Sequence, residues 1–178
     1  MKKTICLSLE STAHTIAAAI VDDKCNILAD QRKQFTTKEG GLKPSDVANH
    51  HLEHAVDIVK KALEEANLKV SDVDVIAFSQ GPGLGPCLRV SAVVARTLSL
   101  LHNKPLVGVN HALAHIELGK KLSGAKDPVI VYVSGGNSQI LVLENKKYRV
   151  LGETLDVGIG NLFDSFGRSL GLGFPAGP

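Results

Sequence analysis

Residues 128–153 read PVIVYVSGGNSQILVLENKKYRVLGE, and this stretch decides the fold prediction. It has the pattern of three short strands of apolar and β-branched residues, joined by a Gly-rich turn and a polar turn. The start of the chain shows the same order about 120 residues earlier, in "TICLSLE" (4–10), "TIAAAIVDD" (15–23) and "ILADQRKQF" (27–35). There the polar segment "STAH" joins the first two strands. Self-similarity at so long a period indicates a duplicated structural unit.

Helices and strands alternate between the two copies. Apolar residues recur near every 3.6 positions from Ser45 to Ala66, after Pro44, and predict a long helix. A strand at 74–80, a helix at 87–101, a strand at 105–110 and a helix at 111–121 follow. A βββαβα lobe that occurs twice is the plan of the actin-like, or ASKHA, class of α/β proteins, which is ribonuclease H-like. We therefore predict a first lobe over residues 1–122 and a truncated second lobe over 123–178.

The second copy contains one helical segment after its strands and then the terminal "FPAGP". The later elements of a second lobe do not follow. We expect the chain to be an N-terminal fragment, or about half, of a natural protein.

Composition limits the class of protein. Hydrophobic residues make up 44% and charged residues 21%, as in soluble globular domains. A net charge of +2 argues against a surface that coats nucleic acid, although it leaves a local basic patch open. Cys6, Cys25 and Cys87 show no paired spacing, which predicts a cytoplasmic protein. Glu10 interrupts the first apolar run, and no run approaches the roughly 20 residues of a membrane span, so neither a signal peptide nor a membrane association is predicted.

Four loops have the composition of anion-binding loops. They are "ESTAHT" (10–15), "GPGLGPCLR" (81–89), "SGGN" (134–137) and "DVGIGN" (156–161). Glycines let backbone N–H groups approach an anion, and a helix N-terminus attracts one. The alternative is plain hairpin turns and helix caps, with Glu10 and His14 as solvated loop residues. Together with the repeat, the loops favour a nucleotide-type ligand.

Two groups of histidines have helical spacing. His111 and His115, in "VNHALAHIEL", lie on one helix face and can converge on one metal ion. The zinc-protease motif needs Glu after its first His, and Ala112 stands there, which argues against a metalloprotease. "HHLEH" (50–54) also allows a metal site, but no Cys or carboxylate cluster accompanies it. The sequence therefore favours a helix surface with titratable histidines.

The motifs also carry a resemblance to a known family. "ESTAHT", "FSQGPGLGPCLRV", "GVNHALAHIE", "YVSGGNSQ", "LDVGIGNLFD" and "GFPAGP" occur in this order over essentially all 178 residues. This combination resembles the archaeal and eukaryotic tRNA N6-adenosine threonylcarbamoyltransferases, the catalytic subunits of the KEOPS complex. The resemblance implies transfer of the threonylcarbamoyl group from threonylcarbamoyl-AMP to N6 of adenosine 37, in tRNAs that read ANN codons. This product is t6A.

The resemblance also implies a set of site residues. One divalent metal, iron or zinc, would be bound per subunit by His111, His115 and Tyr132. In the family a further metal-binding Asp and a nucleotide-binding Asn lie beyond residue 178. No side-chain nucleophile is expected, because the anhydride substrate is already activated. The remaining candidates share a predicted role near threonylcarbamoyl-AMP: Tyr132, Val133, Ser134, Gly135 and Gly136 for the adenylate, Asp164 for the ribose, Gly177 for the nucleotide, and Glu10, His14 and Asn137 as further contacts.

The family's partners are implied in the same way. They are tRNA and the KEOPS subunits, including a small protein kinase or ATPase and a small dimerising subunit. Three positions depart from the family pattern. Ser138 replaces a usual Thr, Ala176 a usual Gly and Ser165 a common basic residue. None of these changes removes a matched ligand.

Two other functions are compatible with the superfamily fold. A sugar or acetate kinase would need an acidic base and ATP with magnesium, and the helix with His111 and His115 beside "YVSGGN" argues against it. A non-catalytic half-protein that binds a nucleotide or a partner stays open. We predict that the 178-residue chain is inactive alone.

Overall fold

The computed structural model describes residues 3–37 and 42–176. The chain forms two compact units. Unit 1 comprises Met1–Phe35 and Leu42–His111, and unit 2 comprises Thr36–Gly41 and Ala112–Pro178. The predicted lobe boundary between residues 122 and 123 stays a prediction.

The elements of unit 1 follow the predicted order, with ends that differ by one or two residues. The second helix begins two residues earlier than predicted, because Pro86 is tolerated in the first turn, where the missing N–H would have no partner. A short 3-10 turn at Val70–Asp72 precedes the fourth strand. The elements are β1 (Ile5–Glu10), β2 (Thr15–Asp22), β3 (Ile27–Gln34), α1 (Pro44–Glu65), β4 (Val75–Gly81), α2 (Gly85–His102) and β5 (Leu106–Asn110).

Their sheet has the strand order β3-β2-β1-β4-β5. The first three strands are an antiparallel meander, as predicted, while β4 and β5 run parallel to β1. The carboxyl ends of β1, β4 and β5 therefore lie at the same edge of the sheet. Glu10 is the last residue of β1, and His111 directly follows β5. The topology thus brings residues that are distant in sequence to one edge.

The core of unit 1 lies where α1 packs on β2 and β3 and α2 packs on β4 and β1. Leu7 of β1 pairs with Ile76 of β4, and both side chains are fully buried. Burial of such side chains is the main source of stability in a domain of this size. The other fully buried apolar residues of this core are Ala18, Ile20, Ala62, Val73 and Ala95.

We expect Leu7→Ala to lower the free energy of unfolding by about 2–5 kcal/mol, because it leaves a cavity between the central strands and the helices. Chemical denaturation followed by circular dichroism measures this loss. Leu100→Ala is the matched control, since Leu100 on α2 is 76% exposed. Its effect should stay within about 0.5 kcal/mol. Equal losses in the two variants would contradict the assignment of Leu7 to the core.

Unit 2 contains the predicted second meander. Its strands β6 (Ile130–Val133), β7 (Ser138–Glu144) and β8 (Lys147–Glu153) form an antiparallel sheet in that order. Asn145 and Lys146 both have positive φ, of 51° and 63°, which suits a two-residue hairpin turn. Helix α3 (His111–Ser123) precedes the sheet and α4 (Ile159–Ser169) follows it. No helix in the described ranges is long and apolar enough to cross a bilayer.

Candidate functional site

Four side chains of unit 1 meet at the edge where the parallel strands end. Glu10 accepts a hydrogen bond from the Thr12 backbone N–H at 2.6 Å and another from the Ser79 hydroxyl. The Nδ1 atom of His111 lies 3.2 Å from the Glu10 carboxylate and 3.3 Å from the Thr12 hydroxyl. We call these four residues the Glu10–His111 cluster. Glu10 and His111 were separate candidates in the sequence, and the structure brings them together.

The contacts determine the ionisation of Glu10 and the orientation of the His111 ring. Burial raises the pKa of the Glu10 carboxyl, but hydrogen bonds from His111, Ser79 and Thr12 outweigh it and lower the pKa to about 2. An ionised carboxylate can only accept, so the hydrogen of a neutral His111 lies on Nδ1. The lone pair of this imidazole is then on Nε2, which is the arrangement of a histidine metal ligand held by a carboxylate.

This pKa shift predicts a pH-dependent contribution to stability in the metal-free protein. A lowered pKa in the folded state stabilises the fold above the ordinary value of 4.5, and the contribution is lost as the pH falls towards about 2. We expect Glu10→Gln to be less stable than wild type at pH 6, and the difference to shrink at pH 3. Urea unfolding at both pH values measures it. An equal difference at pH 6 and pH 3 would contradict the shift.

The ESTAHT loop, residues 10–15, is anchored on α2. Ser11 is fully buried, and its hydroxyl donates to the Cys87 carbonyl at 2.8 Å. The Leu84 N–H donates to the Thr12 carbonyl at 2.7 Å. A Cβ on Gly83 would lie 2.6 Å from that same carbonyl oxygen, so a side chain there would push the two loops apart. Two of the four predicted anion loops therefore pack on each other.

The histidines of "HHLEH" differ from the predicted helix surface. His51 is fully buried, and its Nε2 lies 2.7 Å from the Ala13 carbonyl. The prediction of a helix surface is therefore wrong for His51. Residues 3–37 and 42–176 contain no group of three or more His, Cys, Asp or Glu that could hold a metal ion. His14, another candidate, is partly buried, and its carbonyl accepts from the Phe35 N–H at 2.7 Å.

In unit 2 the SGGN turn, residues 134–137, is closed by its own hydrogen bonds. The Ser134 N–H and hydroxyl both donate to the Asn137 carbonyl, at 2.7 and 3.0 Å. The Asn137 N–H donates back to the Ser134 hydroxyl at 3.1 Å. Gly135 and Gly136 form the exposed tip between them.

The DVGIGN loop, residues 156–161, packs directly on this turn. The Gly160 N–H donates to the Ser134 carbonyl at 3.2 Å, and the Asn161 N–H donates to the Gly135 carbonyl at 3.1 Å. A Cβ on Gly158 would lie 2.5 Å from the Gly135 oxygen. Glycine is therefore required for this approach, and it brings the SGGN turn to the N-terminus of α4. A helix N-terminus beside a glycine turn is suited to bind an anion.

Asp164 lies on α4 and is partly buried. Its Oδ1 accepts a hydrogen bond from the Ala176 N–H at 2.8 Å, which attaches the segment after Phe174 to the helix. A Cβ on Gly167 would lie 2.4 Å from the Ala176 Cβ, so the two backbones are close. Gly177 lies outside the described residues.

His115 and Tyr132 lie together in unit 2, with ring centroids 6.2 Å apart. They line a pocket of about 340 Å³ between α3 and β6, which also contacts Ser134. His111 and His115 are one turn apart on α3. Val133, the other candidate of this segment, is exposed on β6.

Thr12 and Ser79 are site residues that the sequence patterns did not indicate. Ser79 is a buried hydroxyl near the carboxyl end of β4. The only sequence feature that could have indicated Ser79 is its position as a polar residue near the end of an apolar strand. It becomes meaningful only once β4 is known to pair in parallel with β1.

A known protein family matches most of the chain. The model of the family described as TsaD, tRNA N6-adenosine threonylcarbamoyltransferase, matches residues 25–178. The tRNA N6-adenosine threonylcarbamoyltransferase of Thermococcus sibiricus is 57% identical over 98% of this chain and 53% of its own length. The probable bifunctional tRNA threonylcarbamoyladenosine biosynthesis protein of Thermoplasma volcanium is 52% identical over 98% of this chain and 33% of its own length. The chain thus spans about half the length of the first of these curated relatives and about a third of the length of the second.

Solved structures agree on the fold. YeaZ from Pseudomonas aeruginosa matches with a TM-score of 0.58 and 18% identity, over 89% of this chain and 68% of its own. The PPX-GPPA enzyme of Aquifex aeolicus matches with a TM-score of 0.51 and 13% identity, over 93% of this chain and 56% of its own. These likenesses show the fold alone, and they confirm the predicted actin-like α/β class.

Proposed function

Since the chain belongs to the tRNA N6-adenosine threonylcarbamoyltransferase family, we propose that the protein transfers a threonylcarbamoyl group to N6 of adenosine 37 in tRNAs that read ANN codons. The donor is threonylcarbamoyl-AMP. The observation that carries this proposal is the family match over residues 25–178. The local geometry supports it in two places, the Glu10–His111 cluster and the SGGN turn.

His111 and His115 are proposed to bind one divalent metal, iron or zinc, with Tyr132 as a further ligand. The donor set fits such an ion, because Nδ1 of His111 is engaged by Glu10 and leaves the lone pair on Nε2. The i,i+4 spacing puts both imidazoles on one face of α3. A bound metal would supply Lewis-acid polarisation of the carbamoyl or threonyl oxygens.

The adenylate is proposed to lie against Tyr132, Val133, Ser134, Gly135 and Gly136. Backbone N–H groups near the tip of the SGGN turn would face the phosphate, and the dipole of α4 would favour its negative charge. Asn137 closes this turn, and its proposed role is to maintain the conformation of the tip. Asp164 is proposed for the ribose and Gly177 for the nucleotide.

The proposed reaction needs no side-chain nucleophile. The N6 amine attacks the carbamoyl carbon of the mixed carbamic–phosphoric anhydride and forms the new N–C bond. The C–O bond to the phosphate breaks, and AMP leaves with the electron pair. The amine gives up one proton, which the solvent takes up. N–H groups beside the phosphate would stabilise the charge on the departing AMP.

The partners and compartment are proposed on the same family basis. tRNA is the acceptor, and KEOPS subunits, among them a small protein kinase or ATPase and a small dimerising subunit, are the proposed partners. The protein is proposed to work in the cytoplasm. A non-catalytic nucleotide-binding role of the 178-residue chain itself is the second candidate, favoured by its span of about half of the Thermococcus sibiricus relative.

A chimera tests the proposal. Residues 1–175 of this chain replace the corresponding part of the Thermococcus sibiricus relative, and the product is incubated with threonylcarbamoyl-AMP and a tRNA that reads an ANN codon. Mass spectrometry of the digested tRNA detects t6A. We expect modification by the chimera and by the intact relative, and none by the 178-residue chain alone. An active relative beside a folded but inactive chimera would overturn the proposal, and activity of the 178-residue chain would exclude the second candidate.

A further inference from the structure

His51 is a buried histidine that the proposed function does not use. It lies on α1, and none of its surface is exposed to solvent. Its Nε2 lies 2.7 Å from the carbonyl oxygen of Ala13, in the ESTAHT loop. A hydrogen bond between elements 38 residues apart connects the long helix to a loop of the candidate site.

The Ala13 carbonyl determines the tautomer of His51. A carbonyl oxygen only accepts, so the hydrogen of neutral His51 lies on Nε2 and its Nδ1 is an acceptor. Nδ1 of His50 lies 3.2 Å from that acceptor, and therefore carries the hydrogen of His50. Burial lowers the pKa of both imidazoles and favours these neutral forms. The His50 ring is packed edge-on against Phe35 and His54, with centroids 5.7 and 4.6 Å away.

Ala13 is adjacent to the residue that contacts His111. Thr12 places its hydroxyl 3.3 Å from His111 Nδ1, and its N–H donates to Glu10. Ser11, on the other side of Thr12, is anchored on α2 through Cys87. Thr12 is therefore held between two anchors, one on α2 and one on α1. Consecutive Cα atoms are only about 3.8 Å apart, so a shift at Ala13 is transmitted to Thr12.

We propose that His51 is a positioning residue of the Glu10–His111 cluster. Its Nε2–H holds the Ala13 carbonyl, and this keeps the Thr12 hydroxyl and N–H in place beside His111 and Glu10. His51 acts through the loop. Only the activity measurement below rests on the proposed function, and the exchange measurement does not.

Amide hydrogen exchange in the full 178-residue chain tests the positioning directly. The reporters are the N–H groups of Thr12, bonded to Glu10, and of Leu84, bonded to the Thr12 carbonyl. We expect His51→Leu to accelerate exchange of both amides about tenfold, because a buried hydrogen bond that orders the loop is lost. Amides of β2 and β3 should keep their rates. His51→Gln should restore protection, since its side-chain amide can also donate to Ala13.

The control is His102→Leu, which removes an exposed imidazole from the end of α2 in the same unit. In this control the Thr12 and Leu84 amides should exchange at rates within about twofold of those in the wild type. Unchanged exchange in His51→Leu would overturn the inference, and so would a uniform increase over all of unit 1. If His51→Leu does not fold, nitrogen NMR of wild-type His51 provides the test. We expect the hydrogen on Nε2, and a hydrogen on Nδ1 instead would overturn the inference, because Nε2 could then not donate to the Ala13 carbonyl.

The activity measurement uses the chimera with the Thermococcus sibiricus relative. His51→Leu is expected to lower kcat for t6A formation about tenfold, and His51→Gln to recover it. If the wild-type chimera is inactive, the proposed function fails while the exchange experiment still tests His51. If exchange responds as expected but kcat of an active chimera does not change, His51 orders the loop without positioning the site, and the inference is overturned.

Discussion

His111→Ala is expected to reduce t6A formation by the chimera more than about 100-fold. Loss of an outer-shell partner of a metal-binding histidine reduces activity or affinity about 10- to 100-fold, and loss of the ligand itself should exceed that. The double variant His111→Ala with His115→Ala should also lose its stoichiometric metal. Elemental analysis of the purified protein and mass spectrometry of the tRNA measure the two effects.

Two further variants make this result specific. Glu10→Gln keeps His111 but weakens the hydrogen bond to Nδ1, so we expect an intermediate loss of about 10- to 100-fold. His102→Ala removes a histidine from the exposed end of α2 and should change neither metal content nor rate. Retention of one metal per chain in the double variant would refute the ligand assignment. If Glu10→Gln lowered the rate of t6A formation more than His111→Ala did, the assignment of His111 as the ligand and Glu10 as its supporting partner would be refuted.

Gly158→Ala is expected to separate the two glycine loops of unit 2. The new methyl group would lie 2.5 Å from the Gly135 oxygen and 2.6 Å from the Asn137 nitrogen, and both are backbone atoms that cannot rotate away. Relief of such overlap requires a backbone shift, which costs about 1–3 kcal/mol. Affinity for AMP should fall at least about tenfold, because the SGGN turn and the α4 N-terminus would no longer face one ligand. Calorimetry and thermal unfolding of the chain measure these losses.

Gly152→Ala is the matched control. Gly152 lies in β8 of the same unit, and a Cβ there would meet no atom within 4 Å. Its stability and its affinity for AMP should stay close to those of wild type. The proposed packing role of Gly158 would be wrong if the two alanine variants behaved alike.

Much of the fold follows from local patterns in the sequence. Alternating apolar residues in β1 to β3 and the helical period of α1 are local properties, so their elements were predicted almost to the residue. The "NK" turn between β7 and β8 and the "SGGN" turn were also readable, because turn residues act within a few positions. The repeat of these elements then predicted the actin-like class.

The assembly of the site could not be read in the same way. The bond between Glu10 and His111 joins residues 101 positions apart, and it depends on β4 and β5 pairing in parallel beside β1. His51 was predicted to lie on a helix surface. Its burial could not be predicted, because its hydrogen-bond partner is a backbone carbonyl, which has no sequence signature. The contact between Gly158 and Gly135 is likewise made by backbone atoms. Long-range pairing and main-chain contacts are therefore what sequence patterns missed.

The strand order has a consequence for synthesis on the ribosome. β1 and β2 are neighbours in the chain and can pair as soon as both emerge. The other edge of β1 must wait for β4, and Glu10 must wait for His111, 101 residues later. The register partners Cys6 and Val75 are 69 residues apart (75 − 6), so at the usual speed of translation this edge waits roughly 3–14 s. For those seconds the nascent chain exposes an unpaired strand edge, so it is then that a ribosome-bound chaperone would protect it best.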